Sequence, residues 1–218
     1  MTRLSDLQHP RFARAYAEAS ELADRRGAYE HRRRLLAAAE GRVIEIGAGN
    51  GRNFPHYPAR VTEVVAVEPD DTLRALAREP AASAPVPVSV VAGHAEALPG
   101  GEAAFDTAVV SLVLCSVPSL ERALAEIVRV LRPGGQLLFY EHVRSANPVL
   151  GLLQDVITPA WRRVAAGCHP NRDTLAAIER AGFAVSEADR FAFAPQPVIP
   201  PLTHILGQAR PAASTPGA

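Results

Sequence analysis

Val43-Ile44-Glu45-Ile46-Gly47-Ala48-Gly49-Asn50-Gly51-Arg52-Asn53 is the stretch whose reading decides the fold. An apolar run that meets an acidic residue and then glycines at alternate positions reads as a buried strand entering a tight turn, where backbone can approach a ligand closely. A dinucleotide fingerprint spaces its glycines Gly-x-Gly-x-x-Gly and places a pyrophosphate over the next helix. Here the third glycine comes one residue early. Glu45 stands just before the turn, where its charge would repel a pyrophosphate and attract a cation. The pattern favours a ligand combining a nucleoside with a positive charge and disfavours a nicotinamide dinucleotide. A glycine-rich turn that binds nothing is the plain structural alternative.

Working outward, Arg42 to Ile46 is the first strand and Val64-Val65-Ala66-Val67-Glu68-Pro69-Asp70 contains the second, apolar on both faces as in a covered parallel sheet. Glu68 follows the first glycine by about 20 residues, the separation at which a carboxylate meets ribose hydroxyls in this architecture. Pro55 limits any helix in the segment after the glycines. Asp71 is expected to cap a helix running to about Arg78, with Glu79 to Pro87 a loop. Val88 to Ala92 reads as a third strand and Phe105 to Ser111 as a fourth, continuing into Leu112 to Val117. Ser119 caps a helix through Val130, Arg132-Pro133-Gly134-Gly135 breaks it, and Gln136 to Tyr140 is a fifth strand. Strand and helix alternate throughout, which predicts an α/β fold with a parallel sheet.

The acidic residue followed by Gly-x-Gly-x-Gly resembles the first motif of the class I S-adenosylmethionine-dependent methyltransferases. Gly93-His94-Ala95-Glu96-Ala97-Leu98-Pro99 resembles a second, with His94 standing where many members carry an aspartate that reaches the adenine amine. Leu131-Arg132-Pro133-Gly134-Gly135 is a third. Leu112-Val113-Leu114-Cys115-Ser116-Val117, Glu141-His142-Val143, Pro159-Ala160-Trp161, Gly167-Cys168, Arg172-Asp173-Thr174 and Leu202-Thr203-His204-Ile205-Leu206-Gly207 follow in one order. Together they resemble the group that includes the animal microsomal alkyl-thiol S-methyltransferases, over about Val43 to Ala209.

The resemblance implies a doubly wound, mostly parallel, seven-stranded Rossmann-like sheet with N-terminal helices. Its last strands, expected at Ala184 to Phe191 and Thr203 to Ala209, pair near one edge, one of them antiparallel. It also implies S-adenosylmethionine as cofactor, with Glu45, Gly47, Gly49, Gly51, Asn53, Glu68, Pro69, Ala95, Glu96 and Leu112 about it. Glu96 reads equally as a solvated loop charge. The animal members begin with a hydrophobic anchor and this chain does not, so membrane attachment is not carried over.

The 218 residues suit a single domain: helical cover over 1–40, a methyltransferase domain over 41–209 and a disordered tail from Arg210. Within the cover two helices are expected, interrupted at Gly27, and they either close one sheet edge or also fold over a substrate. Basic and acidic residues balance at 23 each, which argues against nucleic acid and for a small-molecule partner. The beginning of the chain reads neither as a signal peptide nor as a membrane span, and a cytoplasmic protein is expected. Cys115 and Cys168 stand far apart and the histidines lack zinc-site spacing, so no metal is expected. No feature sets an oligomeric state.

Methyl transfer from a sulfonium asks chiefly for positioning, with reacting atoms about 3–3.5 Å apart, so no nucleophilic side chain is required. A thiol acceptor with pKa about 8.5 benefits from a modest push, whereas a phenol or alcohol needs a base more. His142 is the first candidate base and Asp155 the second; His142 serves equally well as a structural hydrogen-bonding residue. Cys115 reads as packing ahead of catalysis. The apolar segment Val149 to Ile157 either buries a greasy substrate or packs on the sheet. A thiol methyltransferase leads; a methyltransferase for a quinol, phenol or lipid headgroup, and a catalytically silent binding domain, are the alternatives.

Overall fold

The computed structural model describes residues 2–197 and 199–212. Strands β1 (Gly41–Ile46), β2 (Val61–Glu68), β3 (Val88–Ala92), β4 (Phe105–Ser111), β5 (Leu131–His142), β6 (Phe183–Phe193) and β7 (Leu202–Pro211) form one seven-stranded sheet in the order β3-β2-β1-β4-β5-β7-β6. The β3 to β5 side is parallel, and β7 runs antiparallel to both β5 and β6. The expected doubly wound, mostly parallel architecture is thus what the chain adopts.

Two-residue periodicity divides the core. Ile44, Ile46, Ala108, Val110, Leu137 and Phe139 face one side, where Leu124 and Ile127 of α4 (Leu120–Val130) and Ile178 of α6 (Thr174–Arg180) cover them. Val43, Val109, Leu138 and Leu206 face the other, under Leu35 and Leu36 of α2 (Tyr29–Leu36) and Ala77 of α3 (Asp71–Ala82). Ile44 and Leu124 are almost completely buried, so truncating either to alanine costs about 2–5 kcal/mol.

The N-terminal helix α1 (Pro10–Ala23) joins α2 through a π-helical turn, Asp24–Ala28, in which Gly27 takes φ 128°. That is the expected interruption. Buried charge ties it to the sheet: Arg32 donates to Asp24 at 3.2 Å, to Asn53 at 3.0 Å and to the Ser111 hydroxyl at 3.3 Å, while Arg52 donates to the other Asp24 oxygen at 2.6 Å. With Arg32 and Asp24 both buried, deleting Asp24 strands the Arg32 charge, whereas Asp24 keeps Arg52 when Arg32 is lost.

Several boundaries differ from expectation. Asp70, not Asp71, caps α3, accepting the N–H groups of Thr72 and Leu73, and α3 runs on through Pro80 into the expected loop. Asp173 caps α6 by accepting the Ala176 N–H. Helix α5 spans Pro148–Val164 and is capped by Asn147. Arg210 and Pro211 belong to β7, paired with Ala184 and Phe183, so the tail does not begin at Arg210; residues 213–218 lie outside the described region. β4 stops at Ser111, where Leu112 turns the chain with φ 61°.

Candidate active site

The glycine turn sits beyond the carboxyl end of β1, between β2 and β4, where open α/β sheets bind ligands. A cavity there is lined by Gly47, Gly49, Glu68, Pro69, Ala95, Glu96 and Leu112, seven of the ten expected cofactor residues. Close approach explains two of the glycines. A Cβ on Gly47 would lie 2.5 Å from Val113, and one on Gly49 would lie 3.2 Å from the Tyr16 ring, with both φ values positive.

Glu68 accepts the Gly49 N–H at 2.8 Å and the Asp70 N–H at 2.9 Å, one on each oxygen. Burial pushes its pKa up to about 7, against the lowering effect of those two N–H groups. Lone pairs remain on both oxygens to accept ligand hydroxyls. Glu96 lines the cavity but already accepts the Ser119 N–H at 2.7 Å and the Thr2 hydroxyl at 2.9 Å. His94 lines it too, and its buried Nδ1 has no hydrogen-bond partner among the described residues. A glycine cradle, a strand-end carboxylate and an unpaired ring nitrogen suit a nucleoside with donor and acceptor edges.

The remaining three expected residues have other work. Glu45 accepts from Asn53 Nδ2 at 2.8 Å and from the Tyr57 hydroxyl at 2.7 Å, and burial lifts its pKa to about 7. It and Asn53 lie under the turn and do not line the cavity. A charge expected to meet the ligand is instead spent on supporting the loop. Gly51 is a packing glycine: a Cβ there would lie 2.7 Å from the Phe54 ring.

A second cavity adjoins the first and shares Phe12, Tyr16, Leu112 and Ser116 with it. Helix α1 therefore faces both cavities and does more than cover the sheet. Apolar periodicity placed the helix but could not tell a lid from a cover. His9 is held at the rim, its N–H donated to Asp70 at 2.8 Å.

His142, at the end of β5, lines the second cavity with Cys115 and Cys168. Its Nε2 is 3.0 Å from the Cys168 sulfur, which also accepts the Trp161 indole N–H at 3.3 Å. A hydrogen bond from Cys115, and then His142 beside it, hold the Cys168 thiol well below its usual range despite burial. Burial pushes Cys115 the other way. Neither cysteine is in a disulfide. No sequence spacing brings these three residues together, so the cluster was not foreseen; Cys115 is buried, and it also lines the second cavity.

Asp155 is not at this site. It pairs with Arg144 at 2.8 Å and accepts from Asn171 at 3.0 Å, on the solvent side of α5, while the adjacent Gln154 turns inward. Val149, Leu150, Leu152, Leu153 and Val156 are exposed, so this part of α5 does not bury its apolar side chains on the sheet. Trp161 is the α5 residue that reaches the cavity. Among the described residues no helix is long and apolar enough to cross a membrane.

This arrangement is that of a class I S-adenosylmethionine-dependent methyltransferase, and the chain belongs to that family. Residues 44–139 match the methyltransferase domain model. Thiol S-methyltransferase TMT1B of Rattus norvegicus is 34% identical over 173 residues, 77% of this chain and 69% of that one. A ubiquinone/menaquinone biosynthesis C-methyltransferase of Methylobacterium nodulans is 38% identical over 95 residues, 43% of this chain and 38% of that one. The YcgJ protein of Bacillus subtilis shares the fold with a TM-score of 0.71 at 19% identity, covering 85% of this chain and all of that one.

Proposed function

We propose that the chain methylates a small thiol with S-adenosylmethionine. The observation carrying this reading is the common wall of the two cavities: a donor held by Gly47, Gly49, Glu68 and Ala95 and an acceptor beside His142 would meet across Phe12, Tyr16, Leu112 and Ser116. Bound S-adenosylmethionine supplies an activated methyl group on a sulfonium.

The protein's share is positioning and control of the acceptor's proton. Glu68 orients the nucleoside, the Gly47 and Gly49 backbone admits it closely, and α1 with Phe12 and Tyr16 keeps water from the junction. His142 and the two sulfurs lie on the acceptor side together with Arg32, Tyr140, Gln196 and His204, among Phe193, Ile199 and Leu202. That mixture suits an apolar molecule carrying one soft nucleophilic atom. The likeness to thiol S-methyltransferases favours sulfur as that atom; the same apolar wall suits a quinol ring as second reading.

The test is transfer of labelled methyl from S-adenosylmethionine to a panel of alkyl and aryl thiols, phenols, a quinol and a phospholipid amine. Transfer to thiols is expected. Transfer to the quinol alone replaces the acceptor and keeps the donor. S-adenosylhomocysteine binding without transfer to any of them favours the silent domain.

A further inference from the structure

We propose that Cys115, His142 and Cys168 form a site for one thiophilic divalent cation, zinc foremost, whose fourth position opens into the acceptor cavity. The two Sγ atoms and a ring nitrogen of His142 lie within 4.8 Å of one another, and all three residues are buried. Zinc bonds of about 2.3 Å to sulfur and about 2.0 Å to nitrogen, at tetrahedral angles, need donors about 3.5–3.8 Å apart. Small side-chain rotations reach that from the 3.0 Å His142–Cys168 contact. Two thiolates and an imidazole are also the donors that zinc prefers over harder cations.

The frame behind the donors is rigid. Glu141, next to His142 on β5, accepts the N–H groups of Val113 at 2.8 Å and Leu114 at 2.9 Å, which sets the turn carrying Cys115. The His169 N–H donates to the Cys115 carbonyl at 2.8 Å, which ties the Cys168 segment to the same turn. Arg172 donates to the Leu114 carbonyl at 2.6 Å, bringing positive charge beside the sulfurs. The Trp161 N–H already points at Cys168, as donors to metal thiolates do. When Nε2 coordinates, His142 Nδ1 keeps the ring proton.

Three protein donors and one open side match a catalytic zinc site; a structural site would be closed by four. Zinc binding forms two Zn–S bonds and one Zn–N bond and releases two protons in all from the cluster. A thiol entering the fourth position displaces water and loses its proton to solvent. It is then held as the thiolate beside the cofactor cavity, a step that rests on the thiol reading above.

The experiment uses the full chain under reductant, dialysed against zinc and then against metal-free buffer, with metal measured by plasma mass spectrometry. One zinc per chain is expected, lost in Cys168→Ser and in Cys115→Ser, while S-adenosylhomocysteine binding in the first cavity persists as evidence of folding. Cobalt substituted for zinc should show a sulfur-to-metal charge-transfer band that shifts when an alkyl thiol is added. Zinc retention below a tenth of an equivalent, or retention unchanged in both serine variants, overturns the site; a cobalt band indifferent to thiol overturns its open position. Thiol methylation by metal-free protein would sink the metal's role and leave the thiol reading standing. Normal cobalt spectra without thiol methylation would do the reverse.

Discussion

The Glu68 carboxylate holds Gly49 by its N–H at 2.8 Å, so the end of β2 braces the turn that follows β1. Its other oxygen takes the Asp70 N–H, and burial keeps its pKa near 7. A ligand whose hydroxyls donate to Glu68 favours the ionised carboxylate and binds with loss of a proton. S-adenosylhomocysteine affinity should therefore rise from pH 6 to pH 8, by up to about tenfold for one group. Glu68→Gln should bind about tenfold more weakly at pH 8 and show a flat profile. Calorimetric titrations at several pH values check this; equal affinity of the two proteins at pH 8 would remove Glu68 from the ligand.

Glu45 governs stability in preference to binding. Its folded pKa of about 7 lies above the ordinary 4.5, so the folded state retains a proton that the unfolded chain gives up between those values. Stability from this group is greatest below pH 4.5 and is lost as pH rises through 7. Glu45→Gln lacks that loss. The melting temperature of the variant relative to the parent should climb steadily between pH 5 and pH 8, with cofactor affinity little altered. A constant gap across that range would contradict the assignment.

Gly47 and Gly51 should separate. Alanine at Gly51 meets the Phe54 ring at 2.7 Å with φ 80°, which costs roughly 1–3 kcal/mol of stability. Alanine at Gly47 meets Val113 in the cavity wall and should abolish ligand binding as well. Thermal melts with and without S-adenosylhomocysteine distinguish them: ligand should still raise the melting temperature of Gly51→Ala, and fail to raise that of Gly47→Ala.

The two candidate bases should diverge just as clearly. His142→Ala removes the one imidazole in contact with Cys168 and should lower kcat by at least about tenfold, with S-adenosylhomocysteine affinity unchanged. Asp155→Asn breaks a solvent-side pair with Arg144 and should leave kcat within about twofold. Steady-state kinetics on a thiol acceptor measure both, and a larger loss at Asp155 than at His142 would reverse the assignment.

The sheet was legible because its signals are local. Val43 to Ile46, the glycine spacing, Glu68 and the Ser119 cap each follow from neighbours in the chain, and the parallel strands fell where apolar runs meet turn residues. Errors cluster at caps and ends. Asp70 and Asp71 have the same chemistry, and only backbone geometry chose the first. Glu45 shows a deeper limit: a carboxylate after an apolar strand looks the same whether it meets a ligand or, as here, Asn53 and Tyr57 beneath the turn.

By itself the sequence determined the class of sheet, the place of the glycine turn and the residues at the carboxyl ends of β1 and β2, because each depends on periodicity and short-range turn chemistry. Tertiary structure alone decided that α1 walls both cavities, that Asp155 faces solvent with Arg144, and that Cys115, His142 and Cys168 converge. Cys115 lies on the turn after β4 and His142 at the end of the adjacent β5, and Cys168 arrives from a segment 26 residues after His142, held by the His169 N–H on the Cys115 carbonyl. Such meetings are set by strand pairing and packing between distant segments, which leave no period in the chain.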